Sequence, residues 1–159
     1  MTYEIPLLVS AIVFAAFLVF KFRPVVGHEG RTNAVALVEA KKRLEAAKDD
    51  PARAVALADA AEASANLGRV DGATGYFLRA FRADPASVEI VERAAKALAK
   101  RPGALEKLMW RHLALGPGEG GTRREATHAT LKVMVQIYGR RPRTRVRQQA
   151  LEHVLSLLS

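Results

Sequence analysis

Apolar and polar residues alternate along most of this chain with a helical period, and the period is broken at regular intervals by proline and glycine. After Thr32, which has N-cap chemistry, Val35, Val38 and Leu44 sit among alanines and predict a helix over residues 33–48. Asp49-Asp50-Pro51 ends it, because the residue before proline avoids helical geometry. The same reasoning predicts helices over 52–67, stopped at Gly68, and over 70–83, stopped at Asp84-Pro85. Two more follow over 86–100, ending before Arg101-Pro102-Gly103, and over 104–115, ending at the loop GPGEGG, residues 116–121. Thr122 with Glu125 three residues on reads as a capping box opening a sixth helix, with Leu131, Met134, Val135 and Tyr138 as its apolar positions and Gly139 as its stop. The last helix, about 143–158, places Val146, Ala150, Leu151, Val154, Leu155 and Leu158 on an apolar face.

The first segment has a different pattern. Ile5 to Phe20 carries no charge and Ser10 is its only weakly polar residue. Such a run predicts a transmembrane helix over residues 1–23, with residues 24–31 as linker. A cleaved signal peptide fits less well, since Glu4 stands where a positive start is needed and Val25-Val26-Gly27 is only a fair cleavage site. A buried core helix is disfavoured by the apolar run on every face. Lys21, Arg23 and Arg31 follow the run, which places the N-terminus outside and the remainder in the cytoplasm. The expected protein is thus single-pass in the membrane.

Composition supports an all-α chain. Among 159 residues half are apolar, Ala and Leu dominate, and strand-turn dipeptides are scarce. The absence of cysteine excludes a disulfide framework, a thiolate metal site and a cysteine nucleophile. The net charge of +9 is uneven: residues 24–115 hold 15 Lys and Arg against 12 Asp and Glu, residues 122–159 hold 8 against 2. An acidic partner is therefore to be sought at the C-terminal end, where Arg140, Arg141, Arg143, Arg145 and Arg147 cluster. The cluster can be a solvated turn, or a site for an acidic protein segment, anionic lipid or nucleic acid. Nucleic acid ranks last because no aromatic residues are interleaved with the arginines.

Shifting the chain by 34 residues superposes Pro51 on Pro85, Leu57 on Val91, Ala60-Ala61 on Ala94-Ala95, Ala65 on Ala99, and Ala46 on Ala80 and then Ala114. Each such unit holds two helices and a short turn, the mark of a helical solenoid. In the unit from Ala54 to Ser87, Gly68, Ala73, Phe77, Ala80 and Pro85 stand at the spacing of the tetratricopeptide repeat, and the chain resembles that family there. Leu57, Ala60 and Ala61 occupy its first-helix packing positions, with Ser64 in place of its usual aromatic. Residues 88–115 keep Val91, Ala94, Ala95, Leu98 and Ala114. The resemblance implies a superhelix of about three helix pairs over 32–115, followed by a basic helical hairpin over 122–159. It also implies that the first helix of each pair lines a concave groove, where Asp59, Glu62, Asn66, Arg93, Lys96 and Lys100 would meet a peptide or segment of a partner protein. Ala58 and Glu62 depart from the inward lysines and asparagines with which some members clamp a peptide's C-terminal carboxylate.

Reaction chemistry is absent from the pattern. Glu125-x-x-His128 is one metal-type pair where di-iron bundles need two and further glutamates, and Glu125 has a capping role instead. The glycines of GPGEGG follow no strand and so form no phosphate cradle. No catalytic residue, cofactor or metal is expected. The function expected is that of a membrane-anchored, non-catalytic adaptor or scaffold. The alternative is a membrane-surface module whose arginines bind anionic lipid or nucleic acid.

Overall fold

The structure, a computed structural model, describes residue 14 and residues 28–116, 121–140 and 142–158. The chain divides after Arg31, and the account that follows concerns the unit Thr32–Ser159. Among the described residues there are seven α-helices: α1 (His28–Ala46), α2 (Asp50–Asn66), α3 (Val70–Ala83), α4 (Val88–Ala97), α5 (Pro102–Leu113), α6 (Gly121–Gly139) and α7 (Arg145–Leu158). A 3₁₀ turn, Pro142–Thr144, leads into α7.

Two expectations are corrected. Among the described residues no helix is long and apolar enough to cross a membrane, which overturns both the fold with a transmembrane helix and the single-pass localisation with a cytoplasmic domain. The described helices are interrupted by charge: α1 alone carries Glu29, Arg31, Glu39, Lys41, Lys42, Arg43 and Glu45. Residues 1–23, on which the anchor was placed, lie outside the described residues except for Phe14. The linker 24–31 also shortens, because α1 already runs from His28 through Gly30 and Thr32. A single helical glycine costs only about 1 kcal/mol and does not force a start at Thr32.

The helix boundaries follow local chemistry. Asp49 caps α2, its Oδ1 accepting from the Ala52 amide at 2.7 Å, and Pro51 occupies the first turn, where its missing N–H is harmless. At the other end Gly68 takes φ +75°, a left-handed turn that frees the chain to reverse into α3 while the Arg69 amide donates to Ser64 O at 2.9 Å. Ser87 caps α4 through its Oγ, which accepts from the Ile90 amide at 3.3 Å.

Helix α2 is buried on almost every side: Ala54, Ala56, Leu57, Ala58, Ala60, Ala61, Ala63 and Ser64 are all covered. Ala60 and Ala63 meet Leu37 and Ala40 of α1. Leu57, Ala58 and Ala61 share the main core with Ala73, Phe77, Ala80 and Phe81 of α3 and with Ile90, Val91 and Ala94 of α4. Methyl side chains let three neighbours approach one helix closely, and the phenylalanines fill the space between. Beyond, α4 packs on both α2 and α6, and α3 packs on α5, so first helices stack on first helices and second on second. Leu105, Leu108 and Met109 of α5 and Leu131, Met134, Ile137 and Tyr138 of α6 continue the same core. The result is an all-helical, helical-repeat-like fold.

Some core assignments change. On α1 the face turned inward is Leu37 and Ala40, while Val35 and Val38 are exposed. Trp110, the largest residue of α5, is 47 % exposed and donates from Nε1 to the Tyr138 hydroxyl at 3.2 Å. On α7 only Leu151 is buried, and Val146 faces solvent. The capping box also changes: α6 begins at Gly121, and Glu125 is exposed.

Phe77→Ala should therefore destabilise the fold by about 3–5 kcal/mol, as for other fully buried aromatics. Trp110→Phe should cost about 0.5–1.5 kcal/mol, the loss of one hydrogen bond at a half-open site. Urea unfolding followed by far-UV circular dichroism checks both, and a larger loss at Trp110 than at Phe77 would contradict this core.

Candidate functional site

The six residues expected to line the groove separate into two groups. Arg93 on α4 is the centre of the first. Its Nε donates to Glu62 Oε1 at 2.9 Å and its Nη2 to Glu62 Oε2 at 3.0 Å, a two-pronged grip on one carboxylate. The same Nη2 also donates to Asp59 Oδ1. Glu89, one turn back, lies 3.8 Å from Nη1. Asp59 is further held by Arg43 of α1, Nη1 to Oδ2 at 2.7 Å. Arg93 is largely shielded from solvent, and its pKa is raised above the ordinary guanidinium value, first by the bonds to Glu62, against burial, and then by Asp59. Asn66 Nδ2 donates to Asn33 Oδ1 at 3.5 Å. Asp59, Glu62 and Arg93 thus fasten α1, α2 and α4 to one another, with Glu62 still part-exposed on the wall of a hollow.

Lys96 and Lys100 form the second group. Both are exposed, and neither has an ion pair among the described residues. They border a hollow of about 620 Å³ that is also lined by Asn66, Leu98 and Arg101. Lys96 also borders a second hollow, of about 440 Å³, with Ala95, Ala99, Pro102, Leu105, Ile137 and Arg140. That one shares Ala95, Val133 and Gln136 with a third, of about 700 Å³, reaching Val88, Glu92, His128, Lys132 and Leu158. Together the last two make one open groove between α4 and α6. It is apolar at Ala95, Ala129 and Val133 and its rim is of mixed charge, with Arg124, Glu125 and Glu92 toward one end, Lys132 between, and Lys96 and Arg140 where α4 and α6 finish.

Glu125 and His128 stand on the wall of this groove. Among the described residues no group of three or more His, Asp and Glu could hold a metal ion. Of the arginine cluster, Arg140, Arg143, Arg145 and Arg147 are exposed at the 3₁₀ turn and the start of α7, and Arg141 lies outside the described residues.

From the sequence His112, near Trp110 in the helix 104–115, reads as a partly buried packing residue; the polar site that it forms has no sequence signal. His112 of α5 is 5 % exposed and lies under Phe81, with ring centroids 4.3 Å apart. Its Nε2 is 3.1 Å from Pro85 O, which can only accept, so Nε2 carries a proton. Its Nδ1 is 2.8 Å from Thr130 Oγ1, and in the neutral ring it accepts from that hydroxyl. The Thr130 hydroxyl is also 2.9 Å from Ala126 O, an alternative acceptor within its own helix. One imidazole thereby joins α5, α6 and the turn before α4. Burial lowers its pKa below 6.5; the bond to Pro85 opposes this, and the nearby charge of Arg123 adds to it. Sequence spacing gave no sign of this contact, because His112 and Thr130 sit on either side of a loop.

No family model, curated protein or solved structure matches the chain.

Two outcomes follow. Arg93→Ala, leaving Glu62 and Asp59 without their shared partner, should cost about 1.5–3 kcal/mol, the range for a hydrogen bond to a charged group. A double-mutant cycle with Glu62→Gln should show coupling between the two. For His112, the unfolded chain takes up a proton before the folded one as pH falls, so stability is present above about pH 6.5 and is lost as pH falls through that value toward the folded pKa. The slope cannot exceed one proton, about 1.4 kcal/mol per pH unit. Urea midpoints between neutral and mildly acidic pH should show this slope in the parent chain and its loss in His112→Gln.

Proposed function

We propose that the chain is a non-catalytic adaptor, a tetratricopeptide-like stack of helix pairs that holds a segment of a partner protein in the groove along α4 and α6. The observation that carries this reading is the groove itself: open at its face, apolar at Ala95, Ala129 and Val133, and rimmed by Lys96, Lys132 and Arg140 together with Glu92, Arg124 and Glu125. From Val88 to Ala99 it follows α4 for about 16 Å at 1.5 Å per residue. That length takes about five residues of extended chain at 3.3 Å each. Support for the repeat assignment comes from Ala73, Phe77 and Ala80, the motif positions, which are all completely buried, and from Gly68, whose positive φ serves the turn between paired helices.

A segment of this kind would press apolar side chains on the floor and set polar or acidic groups against the rim. Ala95→Trp should fill the floor, and its position is only half-buried, so the fold should survive.

The test places a photo-crosslinking residue at Lys132, in the groove, or at Arg79, on the exposed side of α3, in the full chain within cells. A discrete protein captured from position 132, absent from position 79 and lost with Ala95→Trp, is the expected result. Capture of lipid or nucleic acid alone, or equal capture from both positions, would overturn the reading.

A further inference from the structure

Helix α7 has two apolar faces and uses one. Leu151 is buried, and Leu155 and Leu158 pack beside it against the core. Val146, Ala150, Val154 and Leu157 recur at intervals of four, four and three, which places them on a second face of the same helix. All four are exposed, Val146 by 80 % and Leu157 by 70 %. The outward face is a ridge of small aliphatic side chains.

The cations of α7 itself stand at one end of the ridge, while at the other Arg124 of α6 donates from Nη2 to Leu158 O at 2.6 Å. Arg143, Arg145 and Arg147 are exposed at its start, and none has an ion pair among the described residues. The N-terminus of α7 adds the positive end of the helix dipole at the same place. The single carboxylate of α7, Glu152, accepts from Gln148 Nε2 at 2.8 Å and lies more than a turn away.

We infer that this face of α7 docks an amphipathic helix of a partner protein, one with aliphatic residues in a matching ridge and carboxylates at the end that lies over Arg143–Arg147. Side-chain charge argues against a second copy of the chain, although an antiparallel pair would align the helix dipoles favourably. A parallel pair of α7 helices would set arginine on arginine. An antiparallel pair would set the arginines against Ser156–Leu158, where no side-chain carboxylate exists. A lipid surface fits less well, because the ridge has no aromatic residue and the cations of α7 itself are gathered in its first turn, where an interfacial helix spreads them along its polar face. Small aliphatic side chains instead allow a second helix to approach closely and interlock.

The experiment uses the full chain and a fluorescent synthetic amphipathic helix with leucines at four-three spacing and glutamates in one terminal turn. A second peptide carries lysine in place of every glutamate. Saturable one-to-one binding of the acidic peptide is expected, weakened about ten-fold or more by Val146→Asp with Leu157→Asp and again by Arg145→Glu with Arg147→Glu, with little binding of the lysine peptide. Circular dichroism should show unchanged helicity in both variants, since all four positions face solvent. Absence of binding, equal binding of the two peptides, or indifference to the substitutions would overturn the inference. So would sedimentation showing a dimer that Val146→Asp with Leu157→Asp dissolves, or anionic phosphatidylserine vesicles competing the acidic peptide away through the same ridge.

Discussion

The close approach of three helices to α2 is the constraint on which the rest of the structure depends. A helix carries its neighbours about 8–10 Å away, and the lower end is reached only where side chains are small. Helix α2 meets α1 through Ala60 and Ala63, and α3 and α4 through Ala54, Leu57, Ala58 and Ala61. Alanine gives little hydrophobic area per residue, so the larger side chains that complete the core come from the surrounding helices: Phe77 and Phe81 from α3, Ile90 and Val91 from α4. Small residues at the centre and large ones around it make a layered arrangement, in which α4 rests on α2, α5 on α3 and α6 on α4.

Polar interactions then fix the layers in register. Arg93 spans α2 and α4, Arg43 brings in α1 through the same Asp59, and His112 joins α5 and α6 to the turn after α3. Tyr138 does the same across α5 and α6, accepting from Trp110 and donating to Glu106 Oε1 at 2.8 Å. Buried or half-buried polar groups of this kind are costly when unpaired, so each penalises any slip of one helix along another. The apolar packing sets how near the helices come, and these bonds set where along their length they stop.

Much of this could be read in the sequence. The stops at Pro51, Gly68, Pro85 and Pro102, and the inward faces of α3 and α4, come directly from helical period and turn chemistry. What escaped was the use of charge. A shift of 34 residues sets Asp59 on Arg93, and equivalent positions on stacked helices are neighbours, so the period that reveals the repeat also brings this ion pair together. The pairing of Asp59, Glu62 and Arg93 with one another is invisible when each helix is read separately. The outward ridge of α7 escaped for a related reason: periodicity shows that a face is apolar but not whether a neighbour exists to cover it. The helix over residues 1–23 was a matter of hydropathy alone, and the described helices contain nothing of that kind.

The opposite charges at positions 59 and 93 also bear on how such an array can lengthen. Arrays of this type grow most simply by tandem duplication of one unit. Copying residues 54–87 in place would set a second aspartate and a second glutamate where Arg93 and Lys96 now stand, so that carboxylates would face Asp59 and Glu62 in place of cations. The new hairpin would meet repulsion at the very contact that now holds the stack. The array is thus sealed against simple copying of its best-formed unit, and an extra hairpin could be admitted only after its charges had been rewritten.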